Sequence, residues 1–435
     1  FMATIQIVYW LAILGVFSVL YWLGAKKGVT LWVRVLTALA VGIIAGFLFG
    51  DAVESTKWIG DLFVRLIRML VVPIIFTTLV AGLLSMGDPK KLGSIGGKAV
   101  ILYMLTTAVA ICIGLFLGVV FQPGVGIELA AVSSQSVQPA ADVVDRFLGI
   151  IPTNPVAALA EGDVLAIIVF SLLFGTGIVL AGDKGRPVGD AIASAAEAML
   201  KVAHIVMELA PYGVFALVAW VAGTMGTETI LKLLTLVVIV YVACVIHAGL
   251  VYGGLIKFIF KLPAVRFFRG IIDAQAVAYS TASSSATLPV TLTCVEENLG
   301  VKSSVASSVL PLGATINMDG TALYLGVVAV FSAQVFGIDL VMTDYVMIAV
   351  TVTLASIGTA GVPSASLFLL STILPVIGIT VEQTALIVGL ILPIDRILDM
   401  ARTTVNVTGD AAVAVAVAKL EGELDEETFR KVATV

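Results

Sequence analysis

The sequence predicts an all-α, polytopic membrane protein, and three features point there. Of its 435 residues, 60% are hydrophobic and only 12% charged, with a mean hydropathy of +1.13. Soluble domains run near about 45–50% apolar and about 25% charged, so this composition does not fit inside an aqueous domain of ordinary size. Residues 99–127, 233–256, 303–318 and 345–381 contain no Asp, Glu, Lys or Arg. A span needs about 20 apolar helical residues, and 345–381 is long enough to enter and leave. Finally, two apolar stretches are interrupted by small and polar residues, Tyr279 to Pro289 and Ser356 to Ser366. Backbone of that kind is tolerated at membrane depth only where it is buried in protein or lines a cavity, so each is expected to be the tip of a re-entrant hairpin. Close helix packing through Ser and Gly is the plainer alternative.

The same composition excludes other classes. Long apolar runs argue against a β-barrel, whose strands would alternate in short segments. A net charge of −5 and a pI near 5.2 leave no basic surface for nucleic acid. Cys112, Cys244 and Cys294 are odd in number and lie in or beside apolar segments, where they are expected to behave as small buried hydrophobes.

Along the chain, residues 3–24 form an extra N-terminal transmembrane helix with Tyr9, Trp10, Tyr21 and Trp22 near its ends. Lys26 and Lys27 follow it rather than precede it, which argues against a cleaved leader and places its C-terminal end in the cytoplasm. Apolar blocks come next at 31–50, 57–86, 95–121, 164–182, 193–225 and 229–260. Lys90, Lys91, Lys98, Lys257, Lys261, Arg266 and Arg269 mark cytoplasmic faces, whereas 122–162 has Arg146 as its single basic residue and suits an external loop. Residues 419–435 read as a cytoplasmic tail.

The last 170 residues carry a weak repeat. Each tip ends in a proline (Pro289, Pro363), and each following helix holds another (Pro311, Pro393). Six residues beyond these stand Asn317-Met318 and Asp399-Met400. Interrupted segments at matching places of a repeat point to a transporter's midplane site.

In the last helix, Asp395, Asp399, Arg402, Thr403, Asn406 and Asp410 fall on one stripe about 100° wide at about 100° per residue. Charges at membrane depth cost several kcal/mol each, so this row must face protein or water, as a site or as ion pairs fixing helix packing. Facing it, the segment 311–321 offers Asn317 and Asp319 oxygens, a bare carbonyl near Gly313, and an N-M-D-G core expected to unwind. Oxygen-only ligands suit a hard cation such as sodium. His204 and His247 are expected to be packed or interfacial, not ligands.

Together, S-S-S-A-T-L-P at 283–289, N-M-D-G-T at 317–321, G-T-A-G-V-P at 358–363 and D-M-A-R-T-T-V-N-V-T-G-D at 399–410 resemble the glutamate transporter family, the dicarboxylate/amino acid:cation symporters. The resemblance runs in order from about 31 to 420. It implies eight transmembrane helices plus two re-entrant helical hairpins in inverted repeats, a homotrimer, and a transport domain that moves like an elevator past a fixed scaffold. On that pattern 31–86 and 130–225 are the scaffold and trimerisation domain. The transport domain comprises 95–121, 229–260 and 264–418, with hairpins at 264–298 and 341–381. It also implies a prokaryotic sodium-coupled aspartate/glutamate symporter in the bacterial or archaeal cytoplasmic membrane, not an enzyme.

By the same resemblance, Asp399 takes the substrate amino group and Arg402 its side-chain carboxylate, with Ser284, Thr321, Thr403, Asn406 and the Val362 backbone completing the site. One co-transported sodium (Na+) uses Gly313, Asn317, Asn406 and Asp410, and a second uses Thr315, Ser356, Ile357 and Thr359. A third uses Tyr103, Thr106, Thr107, Asn317 and Asp319. The second hairpin is expected to gate the site. The chain departs from the family where it has Ala282 and Met400, since relatives usually hold an arginine at one of these places; Arg396 is the nearest substitute. A C4-dicarboxylate or proton-coupled symporter is the nearest rival, though it has no use for Asp399 as an amine ligand. An intramembrane protease is disfavoured: there is no G-x-G-D, and neither histidine lies near the serine tip.

Overall fold

The computed structural model describes residues 2–85, 89–127, 151–357 and 365–430. In chain order the helices are α1 (Met2–Ala25), α2 (Leu31–Phe49), α3 (Lys57–Ser85), α4 (Pro89–Phe121), α5 (Pro155–Glu161), α6 (Val164–Leu180), α7 (Arg186–Met207), α8 (Ala210–Thr224) and α9 (Gly226–Ile246). They continue with α10 (Ala264–Gly270), α11 (Ile272–Thr281), α12 (Ser284–Thr293), α13 (Ser303–Ile316), α14 (Asp319–Val335), α15 (Met342–Ile357), α16 (Ala365–Ile373), α17 (Val381–Glu421) and α18 (Glu426–Arg430). No strand occurs among the described residues beyond a single bridge between Val301 and Leu424. Ile5–Ala25, Leu31–Leu84, Ser94–Phe121, Gly226–Ile259 and Ser303–Val335 are each long and apolar enough to cross a bilayer.

The expected block at 193–225 is two helices, α7 and α8, bent by 49°. The bend falls at Glu208–Leu209, just before Pro211, whose ring removes a donor and fits only the first turn of a new helix. The N-terminal helix forms as expected. Tyr9 shares a 2.8 Å hydroxyl hydrogen bond with Thr56, and Phe17 meets Tyr212 and Phe215 edge to face, so α1 rests on the 50–56 turn, α2 and α8.

Packing divides the helices. Helices α2, α3, α6, α7 and α8 lie against one another, while α4, α9 and α10–α17 gather around α14 and α17. Every residue from Asp319 to Ala333 is buried, as is nearly all of α17 from Ile387 to Ala418. A helix apolar all round belongs in such a centre; α17 also carries charges into it.

The first hairpin consists of α10–α11, a turn at Ala282–Ser283, and α12. Ala282 adopts left-handed backbone (φ 51°), and the Ser283 hydroxyl caps α12 by accepting from Ala286 N. Helices α15 and α16 form the arms of the second hairpin, whose expected tip, including Thr359 and Val362, lies outside the described residues. The chain does unwind between α13 and α14, at Asn317 and Met318 (ψ 81° and 47°). The matching Asp399-Met400 does not: α17 runs unbroken for 41 residues. Asn406 sustains the first break by accepting from Gly320 N at 2.8 Å, whereas Asp399 pairs with Arg402 on its own helix.

Cys244 and Cys294 are buried as expected, but Cys112 is exposed on α4, facing away from the packed centre.

Candidate functional site

Helix α17 presents its charges to α11, α13 and α14. Arg402 is fully buried; its Nη2 donates to Asp395 Oδ1 and Asp399 Oδ1, both at 2.9 Å, and its guanidinium lies 4.0 Å from the Tyr324 ring centre. Nε and Nη1 of Arg402 have no hydrogen-bond partner. Arg396, 5% exposed, donates from Nη2 to Thr281 O at 3.2 Å, with Ser280 O at 3.5 Å. Two arginines and two aspartates thus balance in charge inside one stretch of helix. Burial of ions is tolerable only on such terms.

The residues expected to read substrate converge in part. Thr321 opens α14 beside Gly320, whose close approach to the Arg402 backbone leaves no room for a side chain. Thr403 and Asn406 are buried on α17, and Ser284 is buried in the first turn of α12, which packs on α17. Val362 falls outside the described residues.

The residues of the first cation group do meet. Asn317 Nδ2 donates to Asn406 O at 3.0 Å and to Asp410 Oδ1 at 2.9 Å, while Asn317 Oδ1 is buried without a partner. A methyl group on Gly313 would collide with the Asp410 carboxylate and the Tyr103 hydroxyl, so glycine is required for this approach. Asn406 Nδ2 donates to the Met318 sulfur at 3.2 Å. In the second group, Thr315 and Ser356 each bond a carbonyl of their own helix, Leu312 O and Thr353 O, and only the backbone of Ile357 is described. In the third, the Thr107 hydroxyl donates to Asp319 Oδ1 at 2.5 Å, Tyr103 donates to Val309 O at 3.0 Å, and Thr106 to Tyr103 O at 3.1 Å.

Sequence reasoning missed two neighbours of Asp319. The Tyr252 hydroxyl donates to Asp319 Oδ2 at 2.7 Å, and His247 Nε2 lies 3.2 Å from the same oxygen, all fully buried. His247 is packed, as expected, but against a site carboxylate; His204 is exposed. No α-helical period places residues five apart on one face, so the pair was not legible in the sequence. Asp395, seen on the stripe, had been given no partner, and Tyr324 gave no signal at all. Among the described residues no lysine or arginine pairs with Asp319 or Asp410. Two buried carboxylates, an orphaned amide oxygen and nearby hydroxyls suit a hard cation held by oxygen.

Comparison with known proteins agrees in extent. A sequence model described as the sodium:dicarboxylate symporter family matches residues 31–420. Over 406 residues the chain is 38% identical to the proton/sodium-glutamate symport protein of Geobacillus stearothermophilus, covering 91% of this chain and 95% of that one. It is 37% identical over 414 residues to the proton/glutamate-aspartate symporter of Escherichia coli (strain K12), covering 91% and 93%. The C4-dicarboxylate transport protein of Azorhizobium caulinodans is 34% identical over 406 residues, covering 91% and 90%. The family match begins at Leu31, so α1 lies outside it.

Proposed function

The chain belongs to the sodium:dicarboxylate symporter family, a multi-pass plasma-membrane transporter, and from that premise we propose that it is a sodium-coupled symporter of acidic amino acids. The observation that carries the reading is how charge is distributed at the site. Arg402 holds the Asp395–Asp399 pair and keeps Nε and Nη1 unpartnered there, while among the described residues no lysine or arginine pairs with Asp319 or Asp410. An incoming carboxylate finds the guanidinium donors, and an ammonium finds Asp399 once it loosens from Arg402. Co-transported sodium supplies Asp319 and Asp410 with the countercharge they lack. Asn317, Asn406 and Gly313 serve the ion beside Asp410, Tyr103, Thr106 and Thr107 the one beside Asp319, and Thr315 and Ser356 belong to the remaining ion. Ser284, Thr321 and Thr403 line the substrate.

In this reading the chain has eight membrane helices and two re-entrant hairpins besides α1, and assembles as a homotrimer. Helices α2, α3 and α6–α8 are the scaffold, and the group around α14 and α17 slides past it as an elevator. The division of packing supports this: the two groups touch along limited seams, chiefly α17 and α9 with α8, and α15 with α6.

The relatives' names favour two rivals, proton coupling and a C4-dicarboxylate substrate. Uptake of labelled aspartate, glutamate and succinate into proteoliposomes separates them. The expected result is saturable aspartate or glutamate uptake driven by a sodium gradient and stimulated by a negative interior, since two or more sodium ions reverse the sign of a substrate of charge about −1. Preference for succinate, or full uptake from a proton gradient without sodium, overturns it.

A further inference from the structure

Beyond Ile246, α9 winds as a π-helix over His247–Tyr252 and again over Leu255–Ile259. The i→i+5 bonding of π winding brings residues five apart close to one face, where α winding would set them about 140° apart. His247 and Tyr252 are such a pair. Their rings meet edge to face, 4.7 Å between centres, and both reach one oxygen, Asp319 Oδ2. Among the described residues, Thr107 alone donates to the other, Oδ1. An ionised carboxylate oxygen can only accept, so His247 Nε2 is the donor of this pair, and its Nδ1 is buried without a partner.

We propose that His247 is a positioning residue for the transported cation: with Tyr252 it fixes Asp319 by Oδ2, so that Oδ1 is the oxygen offered to sodium. The Thr107 hydroxyl turns its hydrogen away when the ion arrives, and its own oxygen then joins Oδ1 as a ligand. The π winding exists to bring both donors to that oxygen. Such outer partners of a ligand change metal affinity about 10–100-fold when removed. This rests on Asp319 serving as a sodium ligand.

The test measures the sodium concentration giving half-maximal aspartate uptake by the full-length protein in proteoliposomes, and aspartate affinity at saturating sodium. His247→Leu should raise the sodium requirement about tenfold or more with aspartate affinity within about twofold of the parent. His247→Gln, which retains an N–H donor, should restore most of the loss, and Tyr252→Phe, one oxygen smaller, should shift the requirement the same way by about threefold or more. An unchanged sodium requirement in Tyr252→Phe, or in a His247→Leu protein that still takes up aspartate, overturns the proposal, as does a Gln variant no better than Leu. Asp319→Asn is the control for the underlying reading. If it leaves sodium dependence intact, that reading and the proposal fall together; if it abolishes it while His247→Leu changes nothing, only the proposal falls.

Discussion

Arg402 is the residue on which specificity turns. Its Nη2 holds Asp395 and Asp399, and its other donors are unspent. Removing one partner of a buried charge set costs about 3–5 kcal/mol, because the remaining charges stay uncompensated. Arg402→Thr is therefore expected to lower aspartate affinity by about a hundredfold or more and to favour small neutral amino acids such as serine. It also leaves Asp395 and Asp399 facing each other with less countercharge, so Asp395→Asn/Arg402→Thr should recover protein yield without recovering aspartate transport. Competition of labelled serine uptake by aspartate checks both; near-parental aspartate affinity in either variant would make Arg402 structural.

Among the elements, the first hairpin is held at both ends. At the tip, Arg396 donates to the last carbonyls of α11, where a cation also complements the helix terminus. Arg396→Met should loosen the turn at Ala282, raising amide exchange at 281–286 and weakening aspartate binding about fivefold, the scale of one charged hydrogen bond. Protection unchanged there would show that the turn holds itself. At the base, the chain after α17 pairs with it: Lys302 N donates to Glu423 O at 3.1 Å, Asp425 N to Gly300 O at 2.8 Å, and Phe429 is buried. Glu421 accepts from Lys98 and Ser94, which hold its carboxyl below the usual range. A lowered pKa in the folded state means this contribution is present above the ordinary carboxylate range and is lost as pH falls through it. Ending the chain at Glu421 removes the Glu423 and Asp425 bonds and Phe429, and should raise exchange at 294–302 while α17 stays protected; equal protection in the shortened chain would count against a clasp.

For the whole molecule, the proposed sliding has a convenient seam between α3 and α13. A Cβ built on Gly82 would lie 3.9 Å from Thr315 Cβ, near the about 3.8 Å that a disulfide requires. Gly82→Cys/Thr315→Cys should cross-link on oxidation and stop aspartate uptake, with reduction restoring it to the level of the Thr315→Cys single variant. Uptake by the oxidised, fully cross-linked protein at the reduced rate would mean that this seam does not move during transport.

The sequence by itself determined the membrane class, the helical segments, the interrupted stretch at Asn317 and the residues of the polar stripe, because these follow from local composition and helical period. Asp399, Arg402, Asn406 and Asp410 shared a face at about 100° per residue before any neighbour was known. Only the tertiary structure decided the partners. The π turn that aims His247 and Tyr252 at Asp319, the reach of Arg396 to Thr281, and the unbroken course of α17 through a repeat that breaks α13 from α14 all depend on groups from distant elements. Inside a membrane protein the apolar period is weak, since lipid and core are both apolar. Register and winding are therefore set by where buried polar groups find each other, and one helix's sequence does not contain that information.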